Sequence, residues 1–200
     1  DRFDVASGNS LTLSYSQFNG HTGINTGTLT LSDSSLTGAQ IKSVNDASTN
    51  AIDLTNVTTI STSTMAEALE IVNNTGAAFT TAPNYAITIS DTSSASNVNL
   101  VAGDTTGIVT ATVTADTAAN LNATLTNATA TDALTLTVNG ATAQATDLIG
   151  LDNKTSVDVS VTATAVSGTF ANLNTVYVTN AANYANLGDE NVTITDTTSA

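Results

Sequence analysis

The feature that most constrains the fold of this chain is that it repeats itself. Residues 87–95 read ITISDTSSA, and residues 192–200 read VTITDTTSA, 105 positions later. The same offset carries the Leu-Thr-Leu triplet at 29–31 onto 134–136. Matches that share one offset along most of a chain indicate a long-period repeat. We therefore predict three parts: a divergent first coil or transition module at 1–27, a first repeat at 28–132, and a partial second repeat at 133–200.

A shorter rhythm lies inside the 105-residue period. Runs in which apolar residues alternate with Thr or Ser begin near 29, 52, 87, 109, 134, 157 and 192. Strict alternation is typical of a half-buried β-strand, and Thr suits its exposed face. The two long steps, 52→87 and 157→192, are interpreted as coils with an extra loop or a bulged side.

Helix-start signals follow many of these strands. Thr64 and Glu67 have the spacing of a capping box, and Met65, Leu69 and Val72 would form the apolar face of the helix. The same face is predicted at Ala118, Leu121 and Leu125, and at Phe170, Leu173 and Tyr177. Aspartates that we expect to cap a helix or turn stand just past a strand at Asp33, Asp91, Asp116 and Asp196.

Each unit of strand, cap, short helix and loop is too short to bury its own apolar face, so neighbouring units have to stack. The sequence therefore predicts a mainly β fold, a repetitive parallel β-solenoid with short helical turns. The alternative is a row of tandem immunoglobulin-like β-sandwiches, whose period is about 100 residues. The recurrent helical turns and the lack of tryptophan favour the solenoid.

Charge and composition exclude several classes of partner. The chain has seventeen acidic and three basic residues, which gives a formal net charge of −14. Because such a charge repels other anions, neither nucleic acid nor an anionic membrane surface is an expected partner. No apolar run reaches the length of a membrane span, and without cysteine the chain can form neither disulfides nor thiolate metal sites. The chain opens on Asp1 rather than Met, and we expect a mature product or a fragment.

The residues offer little for catalysis. His21 is the single histidine and lies in a Gly/Asn/Thr-rich segment that is typical of an exposed turn. The acidic groupings that could hydrolyse a glycosidic bond are Asp189 with Glu190, Asp147 with Asp152, and Asp53 with its repeat mate Asp158. Aromatic and basic residues that would grip a sugar are scarce, so we predict no enzyme and no catalytic or cofactor-binding residues.

Calcium is the one cofactor that the pattern leaves open. Hard cations take oxygen ligands at turns, and the turn-like acidic candidates are Asp104, Asp152, Asp189 and Glu190. The competing interpretation is that Asp favours turns for backbone reasons alone.

Two motifs resemble a known group of proteins. DTAANL at 116–121 and the strand–DTxSA motif at 87–95 and 192–200 are similar to the Thr/Ala/Asp-rich repeat arrays of giant secreted surface proteins of cyanobacteria and proteobacteria. Those proteins are S-layer-like or adhesin-like and leave the cell by type I secretion. The resemblance implies an extracellular scaffold at the bacterial cell surface. The calcium-binding GGxGxDx nonapeptides of many such proteins do not occur here.

The leading hypothesis is a structural repeat segment that forms an extended scaffold, layer or filament and self-associates into a homopolymer or array. The alternative is an adhesin module that binds carbohydrate or another cell surface, in a calcium-dependent or calcium-independent way. Its aromatic candidates are Tyr85, Tyr177 and Tyr184.

Overall fold

The computed structural model describes residues 1–6, 8–76 and 78–196. Among them 31% are helical and 27% are in strands, and the sheets are parallel. The prediction of a mainly β fold is therefore wrong, for the solenoid and for the sandwich alternative alike: the protein is mixed α/β. The physical reason is that helix is more extensive than the predicted helical turns: the ten-residue helix Gly38–Ala47, for example, follows a strand where no helical face is predicted. The end of the motif at 192–200, residues 197–200, lies outside the described residues.

The chain divides into two compact units. The first comprises Asp1–Asp91 and Val101–Val109, and the second comprises Thr92–Leu100 and Thr110–Ala200. Helix α4 (Ala95–Asp104) and strand β8 (Val109–Thr112) have residues in both.

The first unit repeats the order strand, strand, helix, and each such set is called a repeat from here on, as distinct from the 105-residue period of the sequence. Its elements are β1 (Leu11–Leu13), α1 (Tyr15–Phe18), β2 (Leu29–Leu31), β3 (Ser35–Leu36), α2 (Gly38–Ala47), β4 (Ile52–Leu54), β5 (Thr59–Ser63), α3 (Met65–Val72), β6 (Phe79–Thr81) and β7 (Ala86–Ile89). Strands β1, β2, β4 and β6 form one parallel sheet, and β3, β5 and β7 pair in parallel in another. Equivalent strands of successive repeats therefore lie side by side.

Pairing in the first unit sets apolar residues on top of one another. Leu11 pairs with Leu29, Leu29 with Ile52, and Ile52 with Phe79. Because paired residues of a parallel sheet point to the same face, these positions form an apolar ladder. The interior between the two sheets and the helices is completed by residues such as Ile60 of β5 and Ile41 of α2, both almost fully buried.

The second unit uses the same local design. After β8 come α5 (Ala118–Thr124), β9 (Ala133–Thr135), β10 (Thr137–Val138), β11 (Ala143–Gln144), α6 (Ala145–Asp152), β12 (Val159–Val161), β13 (Ala165–Gly168), α7 (Phe170–Asn174), a π-helical turn (Thr175–Thr179), a 3-10 turn (Ala181–Asn183), β14 (Tyr184–Ala185) and β15 (Asn191–Ile194). Parallel sheets join β10, β12 and β14, and β11, β13 and β15. Leu134, Leu148, Val159 and Val166 are fully buried between sheets and helices.

The spacing of strand partners explains the long steps seen in the sequence. Strand β4 pairs with β6 at Ile52 and Phe79, 27 residues apart, and β7 starts only a few residues further on. The step 52→87 therefore runs from the first strand of one repeat to the second strand of the next, and it holds no extra loop. Strand β6 was missed because it is three residues long and carries the pattern FTT.

Some of the helix caps and buried helix faces predicted from the sequence are confirmed, and others are not. The capping box of Thr64 and Glu67 is confirmed. Helix α3 buries Met65, Ala68 and Ile71, whereas the predicted Leu69 and Val72 are only half-buried. The predicted face of α5 is confirmed, since its three residues Ala118, Leu121 and Leu125 are buried. In the last face Leu173 is buried, but Phe170 is 59% exposed.

Candidate functional site

The aspartates that follow strands cap helices, but three of them cap a helix that lies earlier in the chain. The first backbone N–H of α1, at Tyr15, donates to Asp33 Oδ2 at 2.6 Å. The corresponding amides of Met65 in α3 and Phe170 in α7 donate to Asp91 Oδ1 at 2.7 Å and Asp196 Oδ1 at 2.8 Å. A carboxylate here satisfies an otherwise unpaired amide and opposes the positive end of the helix dipole. Each of these helix starts is therefore completed by the next repeat.

Asp116 acts locally instead. Its Oδ1 accepts from the backbone N–H of Thr117 at 2.7 Å and from Nδ2 of Asn120 at 3.0 Å, at the start of α5. The N-cap of α5 is Thr117, whose hydroxyl accepts from the backbone N–H of Asn120 at 3.3 Å, and Asp116 holds Thr117 and Asn120 in place from the position before the cap.

Asn and Thr side chains add further bonds between successive repeats. In the first unit, Nδ2 of Asn56 donates to the carbonyl of Leu31 at 3.0 Å. In the second, Oγ1 of the buried Thr155 donates to the carbonyl of Leu134 at 2.8 Å. Since a buried carbonyl without a partner is costly, these side chains fix the position of each repeat on its neighbour. The abundance of Asn and Thr thus serves repeat-to-repeat bonding.

The first metal candidate, Asp104, is engaged by a tyrosine. Tyr85, itself fully buried, donates its hydroxyl proton to Asp104 Oδ2 at 2.8 Å. Burial first, and the hydrogen bond to Asp104 second, raise the pKa of Tyr85 well above its usual value. The pair holds the C-terminal end of α4 against the start of β7.

The second pair involves Glu190. Its Oε1 accepts from the hydroxyl of Tyr177, and its Oε2 accepts the backbone N–H groups of Gly188 at 2.9 Å and Asp189 at 3.1 Å. Partial burial acts to raise the pKa of Glu190, but these hydrogen bonds together lower it. For Tyr177, burial and Glu190 raise the pKa. The side chain of Asp189 is exposed in the same turn.

Asp152 lies in a different setting, at the C-terminal end of α6. Its Oδ2 accepts from Nδ2 of Asn180 at 2.9 Å. With Asp158 and Asn183 it lines an open polar groove of about 390 Å³. Burial and the negative charge of Asp152 raise the pKa of Tyr184, whose hydroxyl is buried without a hydrogen-bond partner.

The contacts of these acidic residues show which of the predicted calcium candidates lie close together. Glu190 and Asp189 are adjacent in one turn, and within the described ranges no three His, Cys, Asp or Glu residues come together to hold a metal ion. The calcium role of the four candidates stays a prediction. Of the other acidic groupings, Asp147 accepts from Asn122 Nδ2 at 3.1 Å, and Asp53 accepts from Thr30 Oγ1 at 3.3 Å.

His21 and the tyrosines are placed differently from the sequence expectation. The ring of His21 lies 4.3 Å from that of Phe3, and its Nδ1 is buried without a hydrogen-bond partner, so His21 packs rather than standing in an open turn. Tyr85 and Tyr184 are buried and Tyr177 is half-buried, so these three do not form an exposed aromatic row.

Sequence reasoning missed an apolar face at the end of the second unit, which we call the β15 face. It is a shallow groove of about 250 Å³ lined by Phe170, Leu173, Asn174, Tyr177, Val178, Val192 and Ile194. Several of these residues lie in runs that predict a buried strand or helix face, and for that reason their exposure cannot be read from the sequence. The motif repeat indicates the opposite, since its first copy is buried at Ile87 and Ile89.

The comparisons with known proteins give no relative. The chain matches no protein-family model, no curated protein and no solved structure. Within the part of the chain that the structure describes, no helix has the length and apolar character needed to cross a membrane.

Proposed function

We propose that this chain is a structural repeat segment of a secreted bacterial cell-surface protein, in which it serves as an extended scaffold, layer or filament. The observation that carries the proposal is the way one repeat completes the next. Asp33, Asp91 and Asp196 each cap a helix of the repeat before their own. In-register parallel pairing supplies the rest of the contact, as between β2 and β4.

This arrangement suits a mechanical role. In the parallel ladders, the cross-repeat caps and the bonds of Asn and Thr side chains, polar groups of one repeat form hydrogen bonds with the next repeat. The acidic side chains of Asp104, Asp152 and Glu190 likewise hold neighbouring segments together through Tyr85, Asn180 and Tyr177.

Localisation at the cell surface is part of this proposal and is testable by labelling. Antibodies raised against the purified 200-residue chain should label intact cells that carry the gene as strongly as permeabilised cells. External protease should remove the label from intact cells, while a cytoplasmic marker protein survives. Label that needs permeabilisation would contradict the proposed localisation.

The adhesin alternative stays a prediction, and calcium titration separates its calcium-dependent form from the scaffold. If the groove at Asp152 and Asp158 binds Ca²⁺, the melting temperature should rise with Ca²⁺ and fall again on chelation, because a ligand of the folded state stabilises it. The double variant Asp152→Asn with Asp158→Asn should then lose the response, while Asp46→Asn, an exposed carboxylate of α2, should keep it. Equal melting with Ca²⁺ and with chelator would count against calcium.

A further inference from the structure

Two asparagines of the chain are followed directly by glycine, in the pairs Asn19–Gly20 and Asn139–Gly140. In such a pair the backbone nitrogen of the glycine can attack the side-chain carbonyl carbon of the asparagine, because glycine has no side chain that hinders the approach. All four residues are exposed to solvent. The two pairs differ in how firmly the surrounding structure holds them.

The pair Asn139–Gly140 is held by an earlier and a later segment of the chain. The backbone N–H of Asn139 donates to the carbonyl of Asp116 at 3.0 Å, and the carbonyl of Gly140 accepts from the backbone N–H of Thr164 at 3.2 Å. A Cβ atom on Gly140 would lie 3.3 Å from the side chain of Thr117. Three segments therefore fix the conformation of this pair.

The pair Asn19–Gly20 is held locally, at the C-terminal end of the four-residue helix α1. The backbone N–H of Asn19 donates to the carbonyl of Tyr15 at 2.8 Å, and that of His21 donates to the carbonyl of Phe18 at 3.0 Å. Both bonds join residues of the segment 15–21. A Cβ atom on Gly20 would have no atom within 4 Å among the described residues. Since a single helical turn has little stability of its own, we expect this turn to open more readily than the pair at Asn139.

Opening of the turn is what the attack requires. Asn19 has φ −55° and ψ 128°, a conformation that turns the Gly20 nitrogen away from the side-chain carbonyl carbon of Asn19. Rotation about the Cα–C bond of Asn19 brings the two atoms together. At Asn139 the same rotation would break the hydrogen bond that joins Gly140 to Thr164.

We propose that Asn19 is a modification site, at which the chain deamidates spontaneously with water as the co-reactant. The Gly20 nitrogen bonds to Cγ of Asn19, and the side-chain nitrogen leaves as ammonia with the proton that the Gly20 nitrogen gives up. Water then opens the cyclic imide. Attack at Cγ gives aspartate, and attack at the backbone carbonyl gives isoaspartate, in which the main chain runs through the former side chain.

The isoaspartate product lengthens the main chain at a point where it is packed on both sides. Phe18, the residue before Asn19, is 1% exposed, and the ring of His21 lies 4.3 Å from that of Phe3. An added carbon between these two anchors has to shift one of them. We therefore expect the reaction to loosen segment 1–27. Because the reaction needs only water, it is independent of the proposed scaffold function and of where the protein is located.

The first experiment follows the purified 200-residue chain during incubation in heavy-oxygen water at mildly alkaline pH. Trypsin cuts after Arg2, Lys42 and Lys154, so the two pairs fall in separate peptides, 3–42 and 43–154. Mass spectrometry should find the labelled acid at Asn19 forming about tenfold faster than at Asn139, because the local turn opens more often. Isoaspartate among the products identifies the imide route, since direct hydrolysis of the side-chain amide gives aspartate alone.

The second experiment repeats the incubation in denaturing urea, where the fold no longer restrains Asn139. The two pairs should then react at similar rates. Equal rates in the folded chain would overturn the proposal, and so would a folded chain that forms no acid at Asn19 while the unfolded chain does. A difference that is unchanged by urea would assign it to the flanking residues and overturn the argument from the fold.

Two variants test the structural consequence. During incubation the melting temperature of the wild type should fall as isoaspartate accumulates, whereas Asn19→Ser, which cannot form the imide, should keep its melting temperature. The matched control Asn139→Ser should behave like the wild type. If Asn19→Ser lost stability as fast as the wild type, the loosening of segment 1–27 would not come from this site.

Discussion

At the scale of single residues, the acidic side chains act as hydrogen-bond acceptors more than as surface charges. Glu190 shows this best, because its two carboxylate oxygens take protons from one tyrosine and two backbone amides. Hydrogen bonds to the charged form lower the pKa of a carboxyl group. The stability of the turn that contains Glu190 therefore depends on the ionisation of the Glu190 carboxyl group.

Replacing Glu190 should weaken the pH dependence of stability. The pKa of Glu190 in the folded protein lies below its ordinary value of 4.5, so its stabilisation is fully present above pH 4.5 and is lost as the pH falls through the lower folded value. We expect Glu190→Gln to cost about 1 kcal/mol at neutral pH, since the site is partly exposed to solvent. Urea unfolding at successively lower pH should show this difference shrinking as the pH falls through the lowered pKa of Glu190 in the folded protein.

Asp189→Asn is the matched control, because it removes the same charge from the same turn at an exposed side chain. Its stability should follow that of the wild type across the whole range. A constant difference between Glu190→Gln and wild type at all pH values would mean that ionisation of Glu190 does not contribute.

Sequence reasoning found residue types at this scale but not their partners. The sequence predicts Asp104, Asp152 and Glu190 as acidic turn residues whose oxygens could bind calcium. In the structure their hydrogen-bond donors are Tyr85, Asn180 and Tyr177, in that order. Each partner lies 13 to 28 positions away along the chain. A local pattern holds no information on such pairs, since they depend on how one repeat is stacked on the next.

At the scale of elements, the cross-repeat caps make α1, α3 and α7 depend on an aspartate that follows a later strand of the chain. Asp91→Ala should destabilise the first unit by about 1 to 2 kcal/mol, because it removes the acceptor of the Met65 amide and a charge at the start of α3. Chemical denaturation measures the loss. Asp46→Ala removes an exposed carboxylate paired with Lys42 on α2 and should cost less than about 0.5 kcal/mol. Equal losses would show that the cap carries no special weight.

Close packing between backbone segments gives a further test. A Cβ atom on Gly107 would lie 2.3 Å from the carbonyl oxygen of Tyr85 and 2.5 Å from that of Asn84. Gly107→Ala should therefore cost about 2 to 3 kcal/mol, because backbone has to move. Gly20→Ala meets open space at a φ of +91° and should cost about 1 kcal/mol. Thermal melting of the two variants checks the order, and a reversed order would contradict the close contact.

The seven alternating runs predicted their strands correctly, because period two survives in short runs such as LTL at 29–31 and ITI at 87–89. Among the described residues the pattern missed β1, β3, β5, β6, β11, β13 and β14. Most of these strands are two residues long or, like FTT in β6, lack strict alternation. Helix α2 was missed as well, because its Gly, Ser and Asn residues have low helix propensity and its stability comes from packing Ile41 and Val44 inside.

At the scale of the whole molecule, the error in fold class has one cause. Local patterns indicated strands with helical turns attached, and the amount of helix was underestimated. Helices exceed strands among the described residues, and they bury apolar residues such as Ile41, Leu121 and Leu148. The 105-residue repeat and its boundaries at 28, 132 and 133 stay a prediction.

The caps supplied by Asp33, Asp91 and Asp196 all act in one direction, because each aspartate binds the start of a helix that lies earlier in the chain. A chain that becomes available from its N-terminus onward can form α3 before Asp91 has arrived, but that helix lacks its last acceptor until the next strand is in place. The most recently added part is then always the least finished, and each new strand secures the one before it. When the whole chain refolds, hydrogen exchange should protect the Met65 amide only when β7, the strand before Asp91, becomes protected.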